Sequence, residues 1–200
     1  MMNPIQPQTS SDGGLFLFPS IVWKFKYEFD TKTLQPKIDE LFSLVKENSK
    51  LEYGEALSTV STPIEMQPHA WSELSHFQNW LGSTLEHIKD QYHFTGRHST
   101  VTNSWFNKHN RGGHTIEHVH SNVTFVVTSY IALPPNSGYI EFIDPLEYHK
   151  TAWSIHPEES MHRAVPCETN DVLIFPGWLK HRVQPNHTDM DRIVMTFNIK

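Results

Sequence analysis

Two stretches decide how this chain folds: Gly112-Gly113-His114-Thr115-Ile116-Glu117-His118-Val119-His120 and Phe175-Pro176-Gly177-Trp178-Leu179-Lys180-His181. In the first, Thr115, Ile116 and Val119 are β-branched and two glycines precede them, so helix propensity is poor and strand propensity good. Successive side chains on a strand alternate faces, so His118 and His120 point to the same side. His181 stands 61 positions further on. Two imidazoles at the end of one strand and a third from a neighbouring strand can form a three-cornered metal site with open positions. A competing motif overlaps it: His114 to His118 spells H-x-x-E-H, the inverted zinc-protease pattern. That chemistry needs His114 and His118 one turn apart on a helix, and the β-branched run rejects the helix.

The last strand, Arg192 to Ile199, sets the surroundings of the site. Ile193, Met195, Phe197 and Ile199 form an apolar face, and Arg192, Val194, Thr196 and Asn198 take the other. Arg192 therefore begins a face that looks into the cavity of a β-sandwich. A buried guanidinium needs an anion, and a bound carboxylate fits its fork. In the stretch after His118, His120, Asn122, Thr124, Val126, Thr128 and Tyr130 share parity if no bulge intervenes.

Around these strands the chain divides in two. Residues 1–14 read as a flexible arm, rich in Pro, Ser and Gly. From 15 to 97 come strand signals at Leu15–Phe18 and Ile21–Tyr27, then two helices. Thr33–Ser49 carries Leu34, Ile38, Leu41, Leu44 and Val45 at helical spacing, with Asp30 or Thr31 as cap. Ala70–His93 carries Trp71, Leu74, Phe77, Trp80, Leu81, Leu85, Ile88 and Tyr92, with Gly82 as a break. These helices are expected to brace one face of a sheet. From 98 to 200 short strands alternate with turn signals: Val101–Phe106, Thr115–His120, Val123–Leu133, Tyr139–Ile143, Thr151–Ile155, Val172–Phe175, His181–Gln184 and Arg192–Ile199. That pattern argues a sandwich or barrel. The expected fold is one domain over 1–200, mainly β with N-terminal helices.

Composition narrows the function classes. Aromatic residues at 12% argue against global disorder, and a net charge of −6 gives no pull toward nucleic acid or anionic membrane. The one cysteine, Cys167, excludes an intramolecular disulfide; its loop setting after Pro166 reads as incidental. No apolar run reaches membrane-spanning length, and Met1–Gly14 lacks signal-peptide regions, so a cytoplasmic location is the expectation. No Ser-His-Asp signature, Gly-rich phosphate loop or CxxC pair is present.

The composite of His118-Val119-His120, Ser129-Tyr130-Ile131, Phe175 to His181 and Arg192 to Asn198 resembles the 2-oxoglutarate- and Fe(II)-dependent oxygenase superfamily. In particular it resembles the branch with an H-x-H…H…R pattern. The resemblance covers roughly Trp105 to Ile199, and Phe16-Leu17-Phe18-Pro19 is similar to that branch's start. It implies a double-stranded β-helix (jelly-roll, cupin-like) core braced by N-terminal helices. It implies Fe(II) on His118, His120 and His181, with His120 where most relatives carry Asp or Glu; Glu117, of the wrong parity, is the alternative corner. It implies 2-oxoglutarate held through its distal carboxylate by Arg192 and Tyr130, with Trp105, Asn107, Trp178 and Asn198 as candidate pocket lining. The implied activity is dioxygenase hydroxylation of a C–H bond in a small-molecule or peptide substrate, prolyl-hydroxylase-like, in a chain that could form a homodimer. Two other readings stay open: a three-His cupin-type dioxygenase without 2-oxoglutarate, and a non-catalytic jelly-roll binding module.

Overall fold

Alternation along Arg192–Ile199 sorts the molecule into two interiors. The computed structural model describes residues 20–45, 56–92, 99–145 and 162–200, with 8–9, 11 and 15–16. Gln8–Thr9 (β1), inside the stretch expected to be a loose arm, pairs with Leu15–Phe16 (β2), which falls on an expected strand signal. Trp23–Lys26 (β3) follows, then helix α1 (Thr31–Ser43), strand β4 (Leu57–Ser58) and helix α2 (Ser75–Tyr92). Eight further strands are β5 (Val101–His109), β6 (Thr115–His118), β7 (Phe125–Ala132), β8 (Ile140–Ile143), β9 (His162–Val165), β10 (Asp171–Pro176), β11 (His181–Val183) and β12 (Arg192–Ile199). With β3 and β4 they form two antiparallel sheets, β3-β10-β7-β12-β5-β4 and β6-β11-β8-β9. Successive strands mostly change sheet, which is the winding of a double-stranded β-helix, or jelly roll.

The larger sheet is covered on both faces. Met195 and Phe197 of β12, Val127 and Ile131 of β7, and Val172 and Ile174 of β10 pack beneath the helices. The helices answer with Leu34, Ile38 and Leu41 of α1 and Phe77, Leu81, Leu85 and Ile88 of α2, all buried. The neighbours of opposite parity, Val194, Val126, Tyr130, Leu173 and Phe175, enter the space between the sheets with Ile140 and Phe142. Double coverage explains why β10 is apolar at consecutive positions instead of alternating. Each fully buried side chain of this size contributes roughly 1.5–3 kcal/mol. β3 is held to the edge of β10 by Lys24 and Lys26, whose ammonium groups each lie 3.0 Å from the carboxylate of buried Asp171.

Local chemistry sets the boundaries. Asp30 caps α1, accepting from Thr33 N (3.3 Å) and Thr33 Oγ1 (2.7 Å). The expected second helix begins later, at Ser75, because three single 3-10 turns over 64–74 precede it, separated by extended residues Gln67 and Trp71. Gly82 does not break it: the glycine sits on the exposed face, with nothing near. β5 runs three residues beyond the expected Phe106, to His109, and β9 at His162–Val165 answers to no expected strand. The expected strand at 151–155, and the last residues of the first helix (46–49), lie outside the described residues. No described helix is long and apolar enough to cross a membrane.

Candidate metal centre and inner chamber

The H-x-H pair and the distant histidine meet because β6 and β11 are neighbours. His118 and His181 are directly paired, so their side chains leave the sheet on the same side. Between His118 and Thr115 the partner strand advances only from His181 to Val183, so β6 carries a bulge. His120 lies two residues beyond the strand, held by its own N–H donating to Gly177 O (2.9 Å). Gly177 N in turn donates to Thr124 O (3.1 Å). A Cβ on Gly177 would collide with Val123 O and sit 3.0 Å from His120 O, so only glycine permits this approach.

The ligand atoms of His118, His120 and His181 all lie within 4.8 Å of one another. Every Nδ1 faces an oxygen. His118 meets Ile116 O (2.8 Å), His181 meets Leu179 O (2.9 Å) and His120 meets Asn198 Oδ1 (2.7 Å). A carbonyl oxygen only accepts, so each Nδ1 carries the proton and each Nε2 is the unprotonated nitrogen. Burial holds the imidazoles neutral, pushing His181 down to about 3, His120 to about 4 and His118 below its usual value. Mutual repulsion adds to this at His181, between itself and His118, and at His120. Phe175 packs edge-on against His181, with ring centroids 4.8 Å apart, and helps to dry it. Three neutral, pre-oriented Nε2 donors suit a divalent transition ion.

Glu117 does not join them. Its carboxylate lies 2.9 Å from Lys180 Nζ, which holds it below the usual carboxylate range, and it faces solvent. His114 lies outside β6, and the H-x-x-E-H residues 115–118 are strand, as their propensities require.

A chamber of about 50 Å³ opens from the three histidines into the jelly roll. Val126, Ile140, Val183 and Val194 give it apolar walls, and His109, Thr115 and Tyr130 also line it. Arg192, fully buried, lies opposite His109 in the β12–β5 register. Its Nη1 donates to Ser137 O and its Nη2 to Gln184 O (3.1 Å), while no described carboxylate pairs with it. Burial lowers its pKa to about 10, so it remains a cation at neutral pH. Tyr130 is buried too, and its hydroxyl hydrogen-bonds the Cys167 thiol; burial raises both pKa values, the thiol's to about 11. Cys167, read from sequence as incidental, is thus a packing partner of a chamber residue.

Outside the histidines a wider groove of about 240 Å³ holds Asn103, Val119 and Ser121 with the predicted Asn198. Trp105 and Asn107 line both spaces, and Trp105 stacks on His120 at 5.9 Å. Trp178 lines neither and is 57% exposed. The turn closed by Leu179 N to Pro176 O sends Leu179 into the core and Trp178 outward. Sequence reasoning missed His109 and Thr115: ending β5 at Phe106 hid the parity that groups His109 with Trp105 and Asn107.

Residues 103–198 match the family described as "Putative 2OG-Fe(II) oxygenase". That segment, the β half of the chain, is similar to the 2OG-Fe(II) oxygenase superfamily. The chain shares its fold with solved enzymes of low identity. A prolyl-4-hydroxylase from Pseudomonas putida is 8% identical with a TM-score of 0.60, over 90% of this chain and 92% of that one. HygX from Streptomyces hygroscopicus, solved with nickel, 2-oxoglutarate and hygromycin B, is 12% identical at 0.56, over 90% and 82%. The viral collagen prolyl hydroxylase vCPH of Paramecium Bursaria Chlorella virus-1, solved as a 2-oxoglutarate complex, is 11% identical at 0.52, over 89% and 94%. No curated protein sequence matches the chain.

Proposed function

We propose that His118, His120 and His181 hold Fe(II), that Arg192 takes the distal carboxylate of 2-oxoglutarate, and that the oxygenase hydroxylates a C–H bond. One observation carries this: three convergent neutral Nε2 donors share a chamber wall with His109, which is paired across the strands with a buried arginine lacking a described carboxylate. A buried cation with only neutral carbonyl partners is costly, and a dicarboxylate reaching from the histidines would neutralise it.

Fe(II) bound there would supply activation of dioxygen, coupled to oxidative decarboxylation of the keto acid. The chain's own residues do the rest. Asn198 and the two carbonyls fix the imidazole orientations. Val126, Ile140, Val183 and Val194 exclude water from the chamber. Tyr130, buried beside Arg192's charge, helps to fix that end of the chamber. The outer groove, in contact with His118 and His120, receives the substrate. Its size suits a small molecule or one to two residues of a peptide, and the prolyl hydroxylases of like fold make a prolyl peptide the first substrate to try. The all-histidine donor set favours one second reading, a dioxygenase without co-substrate, in which Arg192 has no role. Anaerobic titration with Fe(II) and then 2-oxoglutarate separates the two. The visible iron-to-keto-acid charge-transfer band is expected in the wild type; its absence would overturn the co-substrate reading.

A further inference from the structure

His109 is the one chamber residue with a buried nitrogen that no described group satisfies. It ends β5, is 2% exposed, and pairs across the strands with Arg192. Its Nε2 lies 2.8 Å from Thr115 Oγ1, while its Nδ1 has no hydrogen-bond partner among the described residues. Arg192 Nε, on the facing residue, has none either. Burial and the neighbouring Arg192 charge hold the His109 imidazole neutral, its pKa well below the usual value, so the ring has one N–H. Thr115 is buried and its described hydrogen bond is the one to His109. If its hydroxyl donates to Nε2, the ring proton must sit on Nδ1. Two N–H donors paired across adjacent strands then lack acceptors, one of them in the chamber wall, and leaving both unmet is expensive. A carboxylate has lone pairs enough for both. The opposite tautomer would present an Nδ1 lone pair, which a carboxylate would repel.

We propose that His109 is a second co-substrate-binding residue, donating Nδ1–H to the distal carboxylate beside Arg192, with Thr115 as the positioning residue that fixes its tautomer. This rests on the reading of Arg192 given above. It makes His109 a specificity determinant: keto acids with a distal carboxylate gain its hydrogen bond, and keto monoacids do not.

The test uses the Zn(II)-substituted protein, which binds without turnover, and calorimetry with 2-oxoglutarate and with 2-oxopentanoate, which lacks the distal carboxylate. His109→Phe is expected to weaken 2-oxoglutarate about 10- to 100-fold, the range for a hydrogen bond to a charged group, and to leave 2-oxopentanoate within about 2-fold. His109→Asn, which keeps an N–H donor, should recover most of the loss, and Thr115→Val should lose part of it. Equal losses for both keto acids, or none, would overturn the proposal. If His109→Phe does not fold, nitrogen-15 spectra of the unmutated protein decide. The expected result is a protonated His109 Nδ1 that shifts with 2-oxoglutarate and not with 2-oxopentanoate. A proton on Nε2 defeats the idea. Failure of the wild type to prefer 2-oxoglutarate, or unweakened binding by Arg192→Met, overturns the Arg192 reading and this one with it. A wild type that prefers it, with Arg192→Met weak and His109→Phe unchanged, overturns the His109 role alone.

Discussion

Arg192→Met should separate folding from co-substrate binding. Methionine keeps the length and flexibility of the side chain and removes the charge. Three terms set the effect on the ligand-free protein. Lowering of the guanidinium pKa from 12.5 to about 10 corresponds to about 3 kcal/mol of desolvation cost. Removing the charge recovers that amount. Against it, Ser137 O and Gln184 O lose their donors, at about 1–3 kcal/mol each when buried. Gln184 is only partly buried and water can serve its carbonyl, so its share falls at the low end. The sum is near zero, and at about 2–4 °C per kcal/mol in a domain of this size, the melting temperature of the ligand-free variant should move by only a few degrees.

Binding behaves differently. Two hydrogen bonds from a charged donor to a carboxylate are worth about 1.5–3 kcal/mol each, so the variant should bind 2-oxoglutarate at least about 100-fold more weakly. Melting curves of the metal-loaded protein read both quantities together. At a ligand concentration of about 100 Kd, the wild type gains about 2.7 kcal/mol, or roughly 5–11 °C. The variant at the same concentration sits near its own Kd and should gain about 1–2 °C. A variant that retains most of the ligand-induced shift refutes the role of Arg192. A variant that loses the shift but is also destabilised by about 10 °C without ligand would mean that the arginine is a structural strut.

Three further outcomes follow from the same geometry. Without metal, stability should fall with acid between about pH 6.5 and 3: His120 and His181 have folded pKa values of about 4 and 3, below the unfolded value, so the unfolded chain binds more protons across that window. Urea midpoints against pH, compared with a His120→Gln/His181→Gln double variant, should show the slope flatten in the variant; an unchanged slope argues against neutral histidines. Gly177→Ala should cost both folding stability and more than about 10-fold in metal affinity, since the new methyl pushes on Val123 O and the His120 loop; equal metal affinity by calorimetry contradicts the packing argument. Asn198→Ala should weaken metal about 10- to 100-fold by releasing His120 Nδ1, and Asn198→Asp, which keeps an acceptor, should restore it; an Asp variant as weak as Ala would show that the acceptor is not what matters.

Much of the site was legible because period-2 alternation is a strong local signal. It placed Ile193, Met195 and Phe197 beneath the helices, and Val194 and Thr196 toward the chamber. The β-branched run at 115–119 was enough to reject the protease helix. What stayed hidden were properties of pairs. Nothing in 115–118 announces the bulge that brings both Thr115 and His118 to the chamber, because a bulge belongs to two strands and only the β11 register reveals it. Glu117 was left undecided for the same reason, and its partner Lys180 sits on the neighbouring segment.

The two strand-end histidines share a feature that binds sequence to chemistry more tightly than the H-x-H spacing does. His118 turns its Nδ1 onto the carbonyl of residue 116 and His181 onto that of residue 179, each two positions back. Each ring is therefore oriented by its own backbone. His120, beyond the end of β6, takes a side-chain acceptor, Asn198, from the far end of β12, the strand that begins with Arg192. One eight-residue strand thus orients the third candidate donor at one end and presents the cation at the other. A shift of β12 against β7 by two residues would preserve every buried face and still misplace both groups. The pairing is irregular near both groups: β7 carries an extra residue opposite Ile193 and Val194, next to Arg192, and the β5 register shifts between Asn198 and Ile199.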